Sequence, residues 1–231
     1  MHDRAPAEVR SHSRRVWDVP TRVGHWLLVV LLGTCWWTAE NGEMQYHRYA
    51  GYAIVGVLAF RLYWGFFGST TARFAHFIRG PRQTWAYVRA LFAHAKAPAP
   101  PGHNPLGAWS TVVLLLLLVT QVGLGLFTVD VDGIESGPLS LFVSFDAGRQ
   151  AASWHERIFD ALLVFVSLHV AAVLFYWLAR GQNLIARMFH GHDAHARETS
   201  TIEFASGLRA LLGVILAALI VWRLASLDSP F

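Results

Sequence analysis

Four histidines lie inside strongly apolar stretches of the chain, where ionisable side chains are unusual. They are His25, His47, His155 and His169. An ionisable residue in such surroundings is costly without a partner, and it therefore marks a candidate functional site. Imidazole binds transition metals, exchanges protons near neutral pH and hydrogen-bonds between helices. Metal ligation, proton relay and helix packing are the chemistries open to this set.

The spacing of two of these histidines puts them on one face of one helix. His155 and His169 are 14 residues apart, which is about 21 Å along an α-helix and returns to within about 40° of the starting direction. They are too far apart to share one ion, so each needs a partner at its own depth. If successive apolar stretches cross the membrane in alternating directions, His25 lies at the same depth as His169, near the inner surface. His47 then lies at the same depth as His155, near the outer surface.

Two imidazole pairs suit haem iron better than zinc. Structural zinc takes four protein ligands and catalytic zinc three, and Glu156 is the one further candidate beside a pair. Haem iron takes two axial ligands, because the macrocycle supplies the other four. The alternative is that the histidines only hydrogen-bond between helices. Aromatic residues that suit an apolar macrocycle occur in the same stretches: Trp26, Trp36, Trp37, Phe60, Trp64, Phe165 and Phe175.

Two arginines are candidate counter-charges for the carboxylates of a bound haem. Arg61 follows His47 by 14 residues, so it is expected at the depth of the inner pair. Arg22 precedes His25 by about one turn. A buried guanidinium needs an anion, and a haem propionate supplies one. The alternatives are that Arg61 snorkels to the inner surface and that Arg22 anchors the membrane edge.

Five apolar stretches are long enough to carry these residues across a membrane. A helix needs about 20 mostly apolar residues to cross a hydrocarbon layer of about 30 Å. The sequence predicts an all-α integral membrane protein with a four-helix haem-binding core and a C-terminal fifth helix. The predicted spans are residues 22–40, 48–68, 108–128, 155–179 and 207–226.

The remaining segments are expected on the two membrane surfaces. Residues 1–21 form a cytoplasmic tail before the core (22–190), and 191–231 hold a cytoplasmic loop followed by the fifth span. Trp85, Val88 and Phe92 recur at helical spacing, which predicts a short helix on the cytoplasmic surface.

Eight further histidines fall in these tails and loops and are expected to be solvated. Three of them, His190, His192 and His195, could instead bind a metal, although a solvated loop is the preferred interpretation. The eight are His2, His12, His76, His94, His103, His190, His192 and His195.

Charge sets the predicted orientation. Thirteen Lys and Arg residues fall in the N-terminal, 69–107 and 180–206 segments, whereas the opposite connections hold two, Arg48 and Arg149. Because basic residues favour the cytoplasmic side, the N-terminus is expected inside and the C-terminus outside. The outer connections are mostly acidic.

Composition excludes several classes of protein. The chain is 54% hydrophobic and 15% charged, whereas soluble domains carry about 25% charged residues. This argues against a soluble enzyme, a disordered chain and a nucleic-acid module. Cys35 is the one cysteine, so an internal disulfide framework and a covalent CxxCH haem attachment are ruled out.

An ordered set of motifs carries a family resemblance over about residues 15–190. The motifs are Arg22-Val23-Gly24-His25-Trp26, His47-Arg48-Tyr49-Ala50-Gly51, Arg61-Leu62-Tyr63-Trp64-Gly65-Phe66-Phe67-Gly68 with Arg73-Phe74, His103-Asn104-Pro105-Leu106-Gly107, and Trp154-His155-Glu156 with His169. Together they resemble the prokaryotic cytochrome b561 family, and more closely its branch of hydrogenase-type b cytochrome subunits. The resemblance implies two non-covalent b-type haems on the four histidines. The fifth helix and the segment Gly191-His192-Asp193-Ala194-His195 depart from the family pattern.

The expected function is electron transfer in a bacterial inner membrane. Two axial imidazoles leave iron no open position for O₂, which favours outer-sphere electron transfer. The resemblance implies exchange with membrane quinone at one end and with an outer redox protein, a hydrogenase or a c-type cytochrome, at the other. His103 and Arg61 are candidate neighbours of an inner quinone site.

Two other functions stay open at this point. One is a stand-alone superoxide:quinone oxidoreductase, which the acidic outer loops disfavour because they repel an anion. The other is a non-redox transporter or scaffold whose histidines relay protons or pack helices. No nucleic-acid partner is expected, and an oligomer is possible.

Overall fold

A computed structural model of the chain describes residues 14–93, 102–132, 135–193 and 201–227. The described part is helical apart from one small ladder, in which β1 (Arg14–Arg15) pairs antiparallel with β2 (His192–Asp193). A 3₁₀ turn at Ser140–Phe142 precedes the longest helix. The helices are α1 (Val19–Glu40), α2 (Met44–Phe67), α3 (Phe74–Phe77), α4 (Pro81–Phe92), α5 (Pro105–Leu126), α6 (Phe145–Arg180), α7 (Leu184–His190) and α8 (Gly207–Ala225).

Capping side chains set where two long helices begin. The Asp18 carboxylate accepts a hydrogen bond of 2.9 Å from the backbone N–H of Thr21, and Pro20 stands in the first turn of α1. The Asn104 side chain accepts one of 2.7 Å from the N–H of Gly107 in α5. Such caps satisfy N–H groups that have no partner inside the helix. Both helices therefore begin at a polar residue that precedes an apolar run.

Two helix pairs form the body of the bundle. α1 packs against α2, α5 packs against α6, and α2 and α5 join the pairs. Among the described residues, neither α1 nor α2 packs its backbone closely against α6. Side chains must therefore bridge the space between α6 and the α1–α2 pair. The buried apolar cluster at the centre comprises Cys35, Ala50, Ile54, Leu58, Leu115, Leu118 and Leu162.

Four helices, α2, α5, α6 and α8, are long and apolar enough to cross a membrane. α1 has 22 residues, as many as α5, but Arg22, His25 and its threonines make it less apolar. It is not one of the four found in the described residues. A fifth crossing through α1 therefore stays a prediction.

α6 is longer than the sequence predicts. The predicted span starts at residue 155, whereas the helix starts at Phe145, where the Ser144 hydroxyl accepts from the N–H of Ala147 at 3.2 Å. The polar residues of this first part hid its helical character, because the prediction followed hydropathy. At the other end Gly181 ends the helix with a φ of 65°, a conformation that favours glycine. The connection between the predicted spans 108–128 and 155–179 therefore ends at Ser144.

α8 packs along α2 rather than along the histidine-bearing α6. Small residues permit the close approach. A Cβ on Gly213 would lie 2.6 Å from the ring of Tyr63, and a Cβ on Gly56 would lie 3.1 Å from Val221. The predicted C-terminal helix at 207–226 is present, and it covers the side of α2 that the other long helices leave free.

One end of the bundle is closed by the strands and α7, and we call it the capped end. The carbonyl of Gly191 accepts hydrogen bonds from the N–H groups of Val16 (2.7 Å) and Trp17 (3.0 Å). Arg187 and Asp193 form an ion pair of 3.0 Å. Residues of the predicted N-terminal tail and of the predicted C-terminal segment thus contact each other here.

The short helix predicted near residues 81–92 is present as α4. The hydroxyl groups of Tyr87 and of Tyr176 in α6 form a hydrogen bond of 2.8 Å, and Val88 is partly buried. Trp85 lies on the side of α4 opposite Tyr87 and is 65% exposed. The helix therefore contacts the bundle through Tyr87, a contact that the spacing of Trp85, Val88 and Phe92 did not predict.

Candidate functional site

His25 of α1 and His169 of α6 face each other near the capped end. Their ring centroids are 6.5 Å apart, and the ring planes are inclined by 51°. The ring of Trp26 packs edge-on against His25 at 5.1 Å and stacks on Phe189 of α7 at 4.3 Å. The buried Nδ1 of His25 has no hydrogen-bond partner among the residues that the structure describes. We call these two histidines the inner pair.

His47 of α2 and His155 of α6 face each other further along the bundle, with ring centroids 6.2 Å apart. The Nδ1 of His47 lies 2.9 Å from the carbonyl oxygen of Cys35, and the Nδ1 of His155 lies 2.8 Å from that of Gln121. A carbonyl only accepts, so Nδ1 is the atom that donates and Nε2 is left with its lone pair. This hydrogen bond is typical of histidines that bind metals. We call these two histidines the outer pair.

Both ring separations fit one metal ion held between two imidazoles. A bond from a metal to an imidazole nitrogen is about 2.0 Å, and a ring with bonds of about 1.35 Å has its nitrogens about 1.1 Å from the centroid. Two such rings on opposite sides of an ion have centroids roughly 6 Å apart. The inner pair, at 6.5 Å, and the outer pair, at 6.2 Å, match this value.

The surroundings of the pairs favour a metal that brings its own equatorial ligands. In the described ranges no three His, Cys, Asp or Glu side chains are placed to hold an ion. Each pair bridges helices whose backbones stay apart, namely α1 or α2 and α6. A flat, mostly apolar macrocycle with iron at its centre fits this two-ligand donor set.

A glycine leaves room for the outer pair. Gly125 of α5 lies against His155, and a Cβ there would come within 2.9 Å of the ring carbon Cε1 and 3.2 Å of Nδ1. The sequence gives no signal for this role, since a glycine in an apolar helix has many uses. Gln121, whose carbonyl accepts from His155, lies one turn before it. The carbonyl of Cys35 was likewise not predicted, because backbone acceptors are invisible to motif reading.

Arg61 is buried near the capped end, where it forms a hydrogen bond and contacts an aromatic ring. Its Nη1 donates to the carbonyl of Ala72 at 3.3 Å, and the guanidinium lies 5.2 Å from the ring centroid of Phe74. The carboxylate of Asp18 lies close enough to interact electrostatically with the Arg61 guanidinium. Asp18, which was not predicted, also accepts a 2.8 Å hydrogen bond from the indole N–H of Trp64. The signal for Asp18 was its position directly before Val-Pro at the start of α1.

Arg22 joins α1 to α7. It donates a hydrogen bond to the carbonyl of Phe189, and its buried Nε has no hydrogen-bond partner within the described ranges. Carbonyls at the end of a helix attract cations, so this contact accounts for the orientation of the side chain. Its role toward the inner pair stays a prediction.

His103 is not solvated, contrary to expectation. Its ring stands edge-on to Trp17 at 4.7 Å and against Phe77 at 4.5 Å. Burial, with the charges of Arg61 and His169 nearby, lowers the pKa of His103 from 6.5 to about 3. The loop position in the sequence misled, because the His103 ring packs between Trp17 and Phe77 at the capped end.

The C-terminal histidine cluster has only two members in the described ranges. His190 ends α7, and its carbonyl lies 2.8 Å from Nδ1 of His192, which stands in β2. His195 lies outside the described residues, as do His2, His12 and His94.

Comparison with known proteins gives one family. The sequence model described as prokaryotic cytochrome b561 matches residues 16–191. The chain is 26% identical over 215 residues to the probable Ni/Fe-hydrogenase 1 B-type cytochrome subunit of Escherichia coli K12, covering 79% of this chain and 92% of that one. It is 27% identical over 210 residues to the probable Ni/Fe-hydrogenase B-type cytochrome subunit of Bradyrhizobium diazoefficiens, covering 76% and 84%. No solved structure matches significantly.

Proposed function

The chain belongs to the prokaryotic cytochrome b561 family, and from that premise we propose that it is a membrane-bound b-type cytochrome with two haems. The observation that carries the proposal is the pair of facing imidazoles repeated at two levels of one bundle, with centroids 6.5 and 6.2 Å apart. The relatives named as b-type cytochrome subunits support haem b as the cofactor.

His25 and His169 would hold the inner haem, and His47 and His155 the outer one. Haem iron supplies one-electron exchange between its ferric and ferrous states when bound. Each haem would be held by two imidazoles, which would disfavour binding of O₂ and direct the chemistry to electron transfer. The carbonyls of Cys35 and Gln121 hold the outer rings in one tautomer and one orientation. Arg61 would supply positive charge beside the inner haem, where a propionate needs a counter-ion.

The two levels of α6 would connect the two membrane surfaces. His155 and His169 are about 21 Å apart along one continuous helix. With α1 counted, five helices would cross the membrane, and the basic N-terminal segment would put the capped end in the cytoplasm. The C-terminus then lies outside.

A hydrogenase is the preferred redox partner on the outer side, because both relatives are named as hydrogenase cytochrome subunits. The outer connections are acidic and would favour a basic docking face. Membrane quinone would exchange electrons at the capped end, where Arg61 and the neutral His103 are candidate neighbours.

A haem count tests the proposal. The purified full-length chain should contain two b-type haems by pyridine haemochrome assay, with a b-type reduced-minus-oxidised spectrum. His169→Ala should remove one haem, whereas the control His76→Ala, at an exposed histidine, should keep both. A colourless wild-type protein, or two haems retained in His169→Ala, would refute it. Anaerobic addition of a quinol should then reduce the haems of the wild type, and failure to do so would refute the quinone link.

A further inference from the structure

We propose that the exposed side of α4 binds the headgroups of anionic phospholipids in the inner leaflet. This side consists of Arg82, Trp85 and Arg89, which are all exposed. They are three and seven residues apart, so their side chains leave the helix within about 60° of one another. We call them the α4 arginine face.

The place of α4 in the fold puts this face at the membrane boundary. α4 packs against the first turns of α5, where the indole N–H of Trp109 hydrogen-bonds the carbonyl of Arg79 and the hydroxyl of Thr84, both at 3.2 Å. Its Tyr87 bonds Tyr176, one turn before the end of α6. The helix therefore lies where two membrane-crossing helices meet the surface. Interfacial tryptophans and arginines are enriched at this level.

The segment that carries the α4 arginine face has no acidic residue near it in the sequence. No Asp or Glu occurs between Glu43 and Asp130. In the described part of the structure, Arg82 and Arg89 form no ion pair. Arginine binds phosphate oxygens through several N–H groups at once, and each basic residue near an anionic leaflet contributes to binding. The exposed indole of Trp85 between the two arginines suits the carbonyl and glycerol region of a lipid.

A lipid explains the mixed chemistry of this face better than a protein partner or water. A helix held by a soluble partner would not need to lie between two span ends. An exposed tryptophan (65%) beside arginines is the combination typical of helices that meet lipid headgroups. This proposal depends on the proposed membrane orientation only for the choice of the inner leaflet. Lipid binding itself depends neither on the orientation nor on haem.

Native mass spectrometry of the full-length chain in mild detergent tests the proposal. Phosphatidylglycerol and phosphatidylcholine with the same acyl chains are titrated separately. The wild type should prefer phosphatidylglycerol. Arg82→Gln/Arg89→Gln should weaken its binding about 30-fold, the effect of two basic residues, and should leave phosphatidylcholine binding unchanged.

The control is Arg149→Gln/Arg157→Gln, which removes the same charge from two exposed arginines at the other end of α6. It should bind phosphatidylglycerol like the wild type. Equal loss in both double variants, or equal affinity of the wild type for the two lipids, would overturn the proposal. Circular dichroism and gel filtration check folding, and haem content, measured on the same samples, separates failure of this proposal from failure of the haem assignment.

Discussion

Gly125→Ala is the sharpest test of how the outer pair is held. The added Cβ would lie 2.9 Å from Cε1 of His155, whereas carbon atoms in contact prefer about 3.5–4.0 Å. The ring must therefore move by about 0.6 Å or more. The same ring donates the 2.8 Å hydrogen bond to the carbonyl of Gln121, and a displacement of this size stretches that bond beyond a good length.

The expected loss follows from the role of such a bond. Mutations in the outer-shell partners of a metal-binding histidine typically reduce metal affinity 10- to 100-fold, equivalent to about 1.4–2.7 kcal/mol. We expect Gly125→Ala to weaken retention of the outer haem by about tenfold and to leave the inner haem unchanged. The assay is haem content per chain during competition with apomyoglobin, followed by the visible spectrum.

Gly123→Ala is the matched control. It lies two residues earlier on the same helix, and a Cβ there meets nothing within 4 Å. Both variants gain the same helix propensity, about 1 kcal/mol, so their difference reports the contact with His155. Equal haem retention in the two variants would refute the role of Gly125, and loss of the inner haem alone would refute the assignment of the levels.

Three further predictions address the capped end. Arg61→Gln should lower the midpoint potential of the inner haem by on the order of 50 mV, because a nearby cation favours the reduced state. Arg61→Lys retains the positive charge and should have a midpoint potential close to that of the wild type. A potentiometric titration measures both variants. Asp18→Ala should destabilise the protein by about 2–4 kcal/mol, since it removes a helix cap and the charged acceptor of Trp64, whereas Ser144→Ala removes only a cap and should lose about 1 kcal/mol in thermal unfolding. The lowered pKa of His103 means that between pH 6.5 and about 3 the unfolded chain binds a proton that the folded chain does not. Stability should therefore fall as pH falls, by up to about 1.4 kcal/mol per pH unit, and His103→Phe should reduce this slope when unfolding is measured at several pH values.

Periodicity and hydropathy predicted the long helices, because a span needs a continuous apolar run whatever it packs against. They failed at the start of α6, where polar residues continue the helix beyond the apolar run. They predicted α4 as a helix but not its contact with the bundle, which includes the hydrogen bond between Tyr87 and Tyr176. The depth argument for the histidines needed only the rise per residue and the direction of each span, so it could be made without contacts.

Other parts of the site depend on contacts that no spacing encodes. The carbonyl that orients His155 belongs to a residue whose side chain has no part in the bond, so any residue type would provide it. Trp17, Phe77 and His103 belong to separate segments of the sequence. In the fold, the His103 ring contacts both of the other rings. Such tertiary enclosure overrides the hydrophilic character of a loop.

The protein orients the rings of the two histidine pairs in different ways. Both rings of the outer pair are fixed by backbone carbonyls, so their orientation does not depend on what they bind. In the inner pair the Nδ1 of His25 has no hydrogen-bond partner in the described part of the chain, and packing against Trp26 limits the ring instead. A ring held by packing alone retains more freedom than one held by a directional hydrogen bond. The inner site therefore depends more on the closure of the capped end, where Phe189 supports Trp26 and the carbonyl of Phe189 also binds Arg22. The same sequence motif, a histidine in an apolar helix, thus describes two sites whose rigidity has different origins.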